Sequence, residues 1–108
     1  MFVQMISMQA PLGKIEDLRK LLLSEYLPAL ENRPGFITAH LLEQVDDRDS
    51  AHLMIYWSNQ RALEATETTG VLAGSTTSIV ARMPGLRVQR QSYIATMTVR
   101  GREEIERA

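Results

Sequence analysis

Two histidines, three tyrosines and a single tryptophan are the side chains with the widest chemical scope in this sequence, and cysteine is absent. The missing thiol excludes disulfides, thiolate zinc sites, iron–sulfur ligation and cysteine nucleophiles together. His40 and His52 lie on two neighbouring segments rich in β-formers, where they could act as a general base or a two-histidine metal site. No HExxH spacing accompanies them, and neither a Gly-rich phosphate loop nor a nucleophile elbow occurs. No metal and no cofactor is therefore expected. His52 adjoins a polar turn and is expected at the surface. The face of His40 depends on hairpin register. Opposite Ile55 it shares the face of Trp57, and a slip by one residue moves it to the other. Tyr93 could supply a phenol donor and Arg82 an anion partner, ahead of Tyr56 and Tyr26. Their plainer roles are a packed tyrosine and a surface arginine. The stretch from Thr66 to Ser78 is crowded with Thr, Ser and Gly, all poor helix formers. It reads either as a roomy pocket wall in which Ser75 hydrogen-bonds an oxygenated ligand, or as a frayed solvent-facing segment.

The elements that must place these groups follow from patterning. Phe2 to Met8 is a short β-type run closed by Pro11 and Gly13. From Lys14, the residues Ile15, Leu18, Leu21, Leu22, Tyr26, Ala29 and Leu30 recur at helical spacing. Glu16 and Asp17 sit in the first turn, where the helix dipole favours them. Pro28 loosens the last turn, and Pro34-Gly35 ends the unit. Phe36 to Val45 and His52 to Trp57 are strands joined through the polar cluster Asp46 to Ser50, a hairpin. Ser58 or Asn59 caps a helix carrying Ala62, Leu63 and Ala65. That helix weakens at Thr68-Thr69-Gly70, and a second piece runs from about Val71 to Met83, stopped by Pro84-Gly85. Leu86 to Val99 supplies the last strand, which makes 1–99 one domain and 100–108 a charged tail. The order β-α-β-β-α-β is the ferredoxin-like α+β arrangement, an antiparallel sheet with helices on one face.

Both faces of the first three strands carry apolar residues. Phe2, Ile6 and Met8 alternate with Val3 and Met5; Phe36 and Leu42 with Ile37, Ala39 and Leu41; Met54 and Tyr56 with Leu53, Ile55 and Trp57. Two helices cover only one face, and the bare one would exceed the apolar patch a monomer tolerates. A homodimer packed through its sheet faces is expected. With 108 residues, a net charge of −1 and 44% hydrophobic residues, the chain lacks the basic balance of a nucleic-acid binder. No apolar stretch approaches the roughly 20 residues needed to span a bilayer. The stretch MFVQMISMQA lacks the basic start of a signal peptide, so a cytoplasmic location is expected.

The segments MFVQMISM, NRPGF, AHLLEQVDD and HLMIYWSNQRALEA, taken together, resemble the antibiotic-biosynthesis monooxygenase family over roughly residues 1 to 99. The most specific pieces are RPGF at Arg33 to Phe36 and the pair Trp57-Ser58 leading into Arg61-Ala62-Leu63. Neither is a catalytic signature, so function has to be argued from the site. The resemblance implies a dimeric α+β barrel with a pocket between the sheet and helices of each subunit. It also implies one of several chemistries: oxygenation of polycyclic phenols or anthrones without metal or flavin, haem degradation, or muconolactone-type isomerisation. Trp57 matches the family's tryptophan and is implied to be a pocket wall, the plainer role being core packing. In haem-degrading relatives an asparagine sits in the first strand and a histidine in the second helical region ligates iron. Those positions fall on Ser7 and near Ser75, and serine cannot replace an imidazole, which disfavours haem degradation.

The expected function is a cofactor-independent monooxygenase acting on a small apolar aromatic or polyketide-like compound. Trp57, Ser75 and Arg82 would bind the substrate, while Ser7, His40 and Tyr93 would supply proton transfer and hydrogen bonds. The alternative is a non-catalytic dimeric protein that binds a small molecule.

Overall fold

The computed structural model describes residues 1–68 and 78–101. Its frame is β1 (Phe2–Gln9), a central strand whose even-numbered side chains turn to the helices and whose odd-numbered ones turn away. β2 (Phe36–Glu43) and β3 (Ser50–Trp57) form the expected hairpin, and β4 (Arg87–Ile94) closes the other side. The strand order is β2-β3-β1-β4, antiparallel throughout, which is the ferredoxin-like arrangement. β4 is shorter than the sequence pattern suggests, its pairing with β1 ending at Ile94 opposite Phe2, with one further backbone bond from the Ala95 N–H to Met1 O at 2.9 Å.

Residues 15–31 form one helical rod with a change of register in its middle. α1 (Ile15–Leu21) leads into a π-helical turn at Leu22–Tyr26 and then α2 (Leu27–Glu31). Pro28, lacking an N–H, cannot donate to the carbonyl four residues back, and just before it the Leu27 N–H bonds Leu22 O, five residues back. The π turn keeps both Leu22 and Tyr26 on the buried side. α3 (Gln60–Thr68) starts at Asn59, whose Oδ1 accepts from the Ala62 N–H at 2.8 Å, the usual N-cap geometry. A further helical stretch covers 78–82.

The helices lie on one face of the sheet. Leu18, Leu22, Leu30, Leu63 and Ile79 pack with Ile6, Met8, Leu53, Ile55 and Trp57 into one buried cluster. The opposite face is open. By register it carries Val3, Met5 and Ser7 from β1, His52, Met54 and Tyr56 from β3, Thr38, His40 and Leu42 from β2, and Gln89, Gln91 and Tyr93 from β4. Phe36 does not share a face with Leu42, as unbroken alternation would have it. A bulge at Ile37 resets the register, so Phe36 joins Ala39 and Leu41 on the helix side and Leu42 faces out. Among the described residues no helix is long and apolar enough to cross a membrane.

Candidate functional site

Trp57 ends β3 on the helix side and is fully buried, with its ring edge-on to Phe36 at a centroid distance of 5.8 Å. The two sequence pieces that stood out are physically interlocked around it. The Ser58 N–H donates to Gly35 O at 2.8 Å. Gly35 has φ +82°, and a Cβ there would stand 2.5 Å from the Ala62 Cβ. Glycine is thus needed both for the turn and for the approach of α3, and the turn fixes the strand end that carries Trp57.

Among the described residues the indole Nε1–H of Trp57 has no hydrogen-bond partner, and neither has the Oε1 of Gln4, which is 2% exposed. Gln4 pairs with Ile55 while Phe2 pairs with Trp57, so Gln4 and Trp57 are diagonal neighbours on the same buried face. A buried polar atom left unpaired costs about 1–3 kcal/mol, and two on one buried face are unusual. Next to them, between α3 and β4, lies a cleft of about 330 Å³ lined by Phe2, Gln60, Leu63, Ser92, Tyr93 and Ile94. Phe2 flanks Gln4 along β1, and Ser92 is Gln4's register partner on β4. The cleft therefore opens at the strand positions that border the unpaired groups. Deeper under the rod, Ile6, Leu22, Tyr26, Leu53, Ile79 and Val88 surround a void of only about 10 Å³, the room of one water molecule.

The other candidates fall elsewhere. His40 pairs with Met54, the register that turns it away from Trp57, and it is exposed with its ring edge-on to Tyr56 at 5.7 Å. Ser7 is also on the open face, where its Oγ meets His52 Nδ1 at 2.9 Å. His52 is thus half-buried and partnered, rather than a free surface residue. Tyr93 belongs to the open face too, but as an edge-strand residue it reaches the rim of the α3–β4 cleft; its hydroxyl donates to Gln91 Oε1 at 2.6 Å. Arg82 pairs with Glu25 beside an outer groove of about 500 Å³ lined by Lys14, Asp17, Lys20 and Ser24, on the solvent side of the rod. Ser75, with most of the hydroxyl-rich stretch, lies outside the described residues. One sheet cannot bring Ser7 or His40 to Trp57, because alternating side chains leave opposite faces. Gln4, by contrast, is not among the residues that side-chain chemistry singles out in the sequence. Its even position, shared with Phe2, Ile6 and Met8, was the available signal that a polar group stands on the core face.

The sequence model of the antibiotic biosynthesis monooxygenase family matches residues 1–71. The chain belongs to that family. No curated protein matches it. Among solved structures, a Deinococcus radiodurans protein named for the same family superposes with a TM-score of 0.77 at 14% identity, covering 94% of this chain and 99% of that one. SnoaB, a cofactor-independent oxygenase from Streptomyces nogalater, gives 0.71 at 14% identity, with 91% and 96% covered. MhuD, a heme-degrader from Mycobacterium tuberculosis seen with two hemes in its active site, gives 0.67 at 20% identity, with 92% and 99% covered. At such identities the likeness shows the fold alone, and a fold shared by a cofactor-independent oxygenase and a heme-degrader leaves the choice to the site.

The described residues do not fit haem in the family's helix-side position. Both histidines stand on the opposite face, so no described residue on the helix side offers an imidazole to iron. The argument from Ser7 falls away, since Ser7 does not face the helices; Ile6 and Gln4 do.

Proposed function

We propose that this family member is a cofactor-independent monooxygenase whose substrate is a small apolar aromatic or polyketide-like compound bound between the sheet and α3. The observation that carries the reading is the indole N–H of Trp57, fully buried and without a hydrogen-bond partner among the described residues, near a shallow cleft that Trp57 itself does not line. An oxygen substituent of a flat ring would accept that N–H while the ring packs on Phe2 and Leu63. None of the described residues lining the cleft or the inner void is a carboxylate or imidazole. The fitting substrates are therefore acidic enough to ionise without a strong protein base, as an activated ring CH2 between arenes is. In that chemistry the carbanion adds dioxygen to give a peroxide, which takes up a proton and loses water to leave a ketone. One oxygen atom enters the product and the other leaves as water. The protein contributes orientation and a dry site.

Oxygen uptake with a panel of hydroxylated polycyclic arenes and anthrones is the test. Uptake is expected, and Trp57→Phe, which keeps a ring and removes the donor, should lower kcat at least about tenfold with an unchanged fold. Full activity in a folded Trp57→Phe protein would refute the role of Trp57. That no described residue lining the cleft or the void is a strong base favours a second reading, a non-catalytic binding protein. It is distinguished by ligand binding without oxygen consumption.

The homodimer belongs to this proposal as well. The open face, with Met5, Met54, Tyr56, Leu42 and Tyr93, supports it, since a second copy laid sheet to sheet would bury these side chains. Ser7, His40 and His52 would then lie between subunits rather than in the pocket.

A further inference from the structure

We infer that the turn before β2 and the start of α3 form a second, separate binding site, which takes a small phosphate monoester through Arg33 and Arg61. A cleft of about 280 Å³ lies there, with Arg33, Pro34 and Gly35 on one side and Arg61, Ala62 and Ala65 on the other. Two arginines from different elements thus border one cavity. No carboxylate is among its described lining residues, and neither arginine has an ion pair among the described residues. Arg19 and Arg82, by contrast, are each paired with a glutamate. Glu64, one turn along α3 from Arg61, already accepts from Gln60 Nε2 at 2.7 Å. The described lining therefore carries two uncompensated positive charges, in a chain whose net charge is −1.

Arg33 supplies an independent observation. It is half-buried, and its Nε–H is shut off from solvent with no hydrogen-bond partner among the described residues. A cationic donor in that position is costly until an anion accepts from it. Guanidinium groups bind oxyanions in a two-pronged way, and two of them match the double charge of a phosphate monoester better than the single charge of a carboxylate. The positive end of the α3 dipole lies on the same side and adds to the attraction. Pro34, Ala62 and Ala65 make the remaining walls apolar, so the ester carries a small apolar body. The cradle is fixed before anything binds. Ser58 N–H donates to Gly35 O at 2.8 Å, Phe36 N–H donates to Arg33 O at 3.2 Å, and Asn59 Oδ1 accepts from Ala62 N–H at 2.8 Å. A preformed site loses little to ordering on binding. It shares no lining residue with the cleft between α3 and β4, so the inference stands apart from the monooxygenase reading.

Phenyl phosphate is the probe, titrated into the whole protein at low salt while backbone amide signals are followed by NMR. The shifts should saturate and centre on Gly35, Asn59, Arg61 and Ala62. Arg61→Gln, at an exposed position, should weaken the affinity at least about tenfold without changing the Tm of the probe-free protein. Arg33→Gln should weaken it as much, and the probe should raise the Tm of the native protein but of neither variant. Lys20→Gln removes a charge from the outer groove instead, and should leave the affinity within about twofold. Phenol, which lacks the anion, should not move these signals. Absence of shifts, shifts centred on the outer groove, or an equal loss from Lys20→Gln would each overturn the inference. Benzoate bound as tightly as phenyl phosphate would overturn the assignment to a phosphate.

Discussion

At the scale of single residues, Gly35 does more than end a turn. Its positive φ and the 2.5 Å approach of the Ala62 Cβ combine two separate penalties for any side chain. Gly35→Ala is expected to lose about 3 kcal/mol, from left-handed strain and overpacking together. Gly13 also has a positive φ, of 74°, but a Cβ there meets nothing within 4 Å. Gly13→Ala should therefore lose only about 1 kcal/mol, the backbone part. Chemical denaturation of both variants checks the difference; equal losses would mean that the contact with α3 carries no energy. The Gly35 result matters for the site because the same turn holds the end of β3 where Trp57 stands.

At the scale of elements, α1 is tied to the end of β2 by a two-pronged pair. Arg19 Nε and a terminal nitrogen donate to the two Glu43 carboxylate oxygens at 2.8 and 2.9 Å. Those hydrogen bonds, with the guanidinium charge, hold the Glu43 carboxyl below its ordinary range. A depressed folded-state value means the contribution is present above about pH 4.5, the ordinary value, and is lost as the pH falls through the folded one. The native protein should have a slightly higher Tm than Glu43→Gln at pH 7 and low salt. The gap should close below that range and shrink with added salt, as expected of an exposed pair. A gap that persisted at pH 2 would show that Glu43 acts through packing instead.

The elements themselves were largely legible. Alternation marked β1 and the hairpin, and Pro34-Gly35 and Pro84-Gly85 marked the stops observed at the ends of the helical stretches. The π turn was not legible beyond a loosening at Pro28, since its register depends on which carbonyl the Leu27 N–H finds. The bulge at Ile37 was invisible for a similar reason, because nothing in FITAHL marks an extra residue. It carried a real cost in reading the site. The face of His40 follows from the pairing of β2 with β3, and sequence pattern alone left both faces open. Ser7 and Trp57 were separable only once β1 and β3 were in register. Gln4 was readable in principle from its position among core-facing residues.

At the scale of the whole molecule, the open sheet face is the feature that no described element covers. Leu42 and Tyr93 are each 45% exposed there, near Met5, Met54 and Tyr56. Placing a charge at its centre, as in Met54→Lys, should leave the helix-side core intact and convert a dimer into a monomer. Sedimentation of the native and variant proteins checks this, with a native monomer as the outcome that removes the proposed dimer. If the dimer holds, the dyad of Ser7 and His52 becomes part of an interface between copies, and substitutions there should alter assembly before they alter turnover.

The strand order also governs how the chain can be made. β1 is synthesised before every other described element, yet one of its two edges pairs with β4, the last of them. While residues 87–94 are still untranslated, that edge keeps its backbone N–H and C=O groups bare between apolar side chains on both faces. Such a half-paired strand is the kind of surface on which nascent chains join one another. The same long-range pairing gives the sheet a high contact order and slows its closure after release. A nascent chain of this protein thus spends its most adhesive interval waiting for one late strand, and cell-free translation stopped before β4 should yield aggregates that a few dozen more codons dissolve.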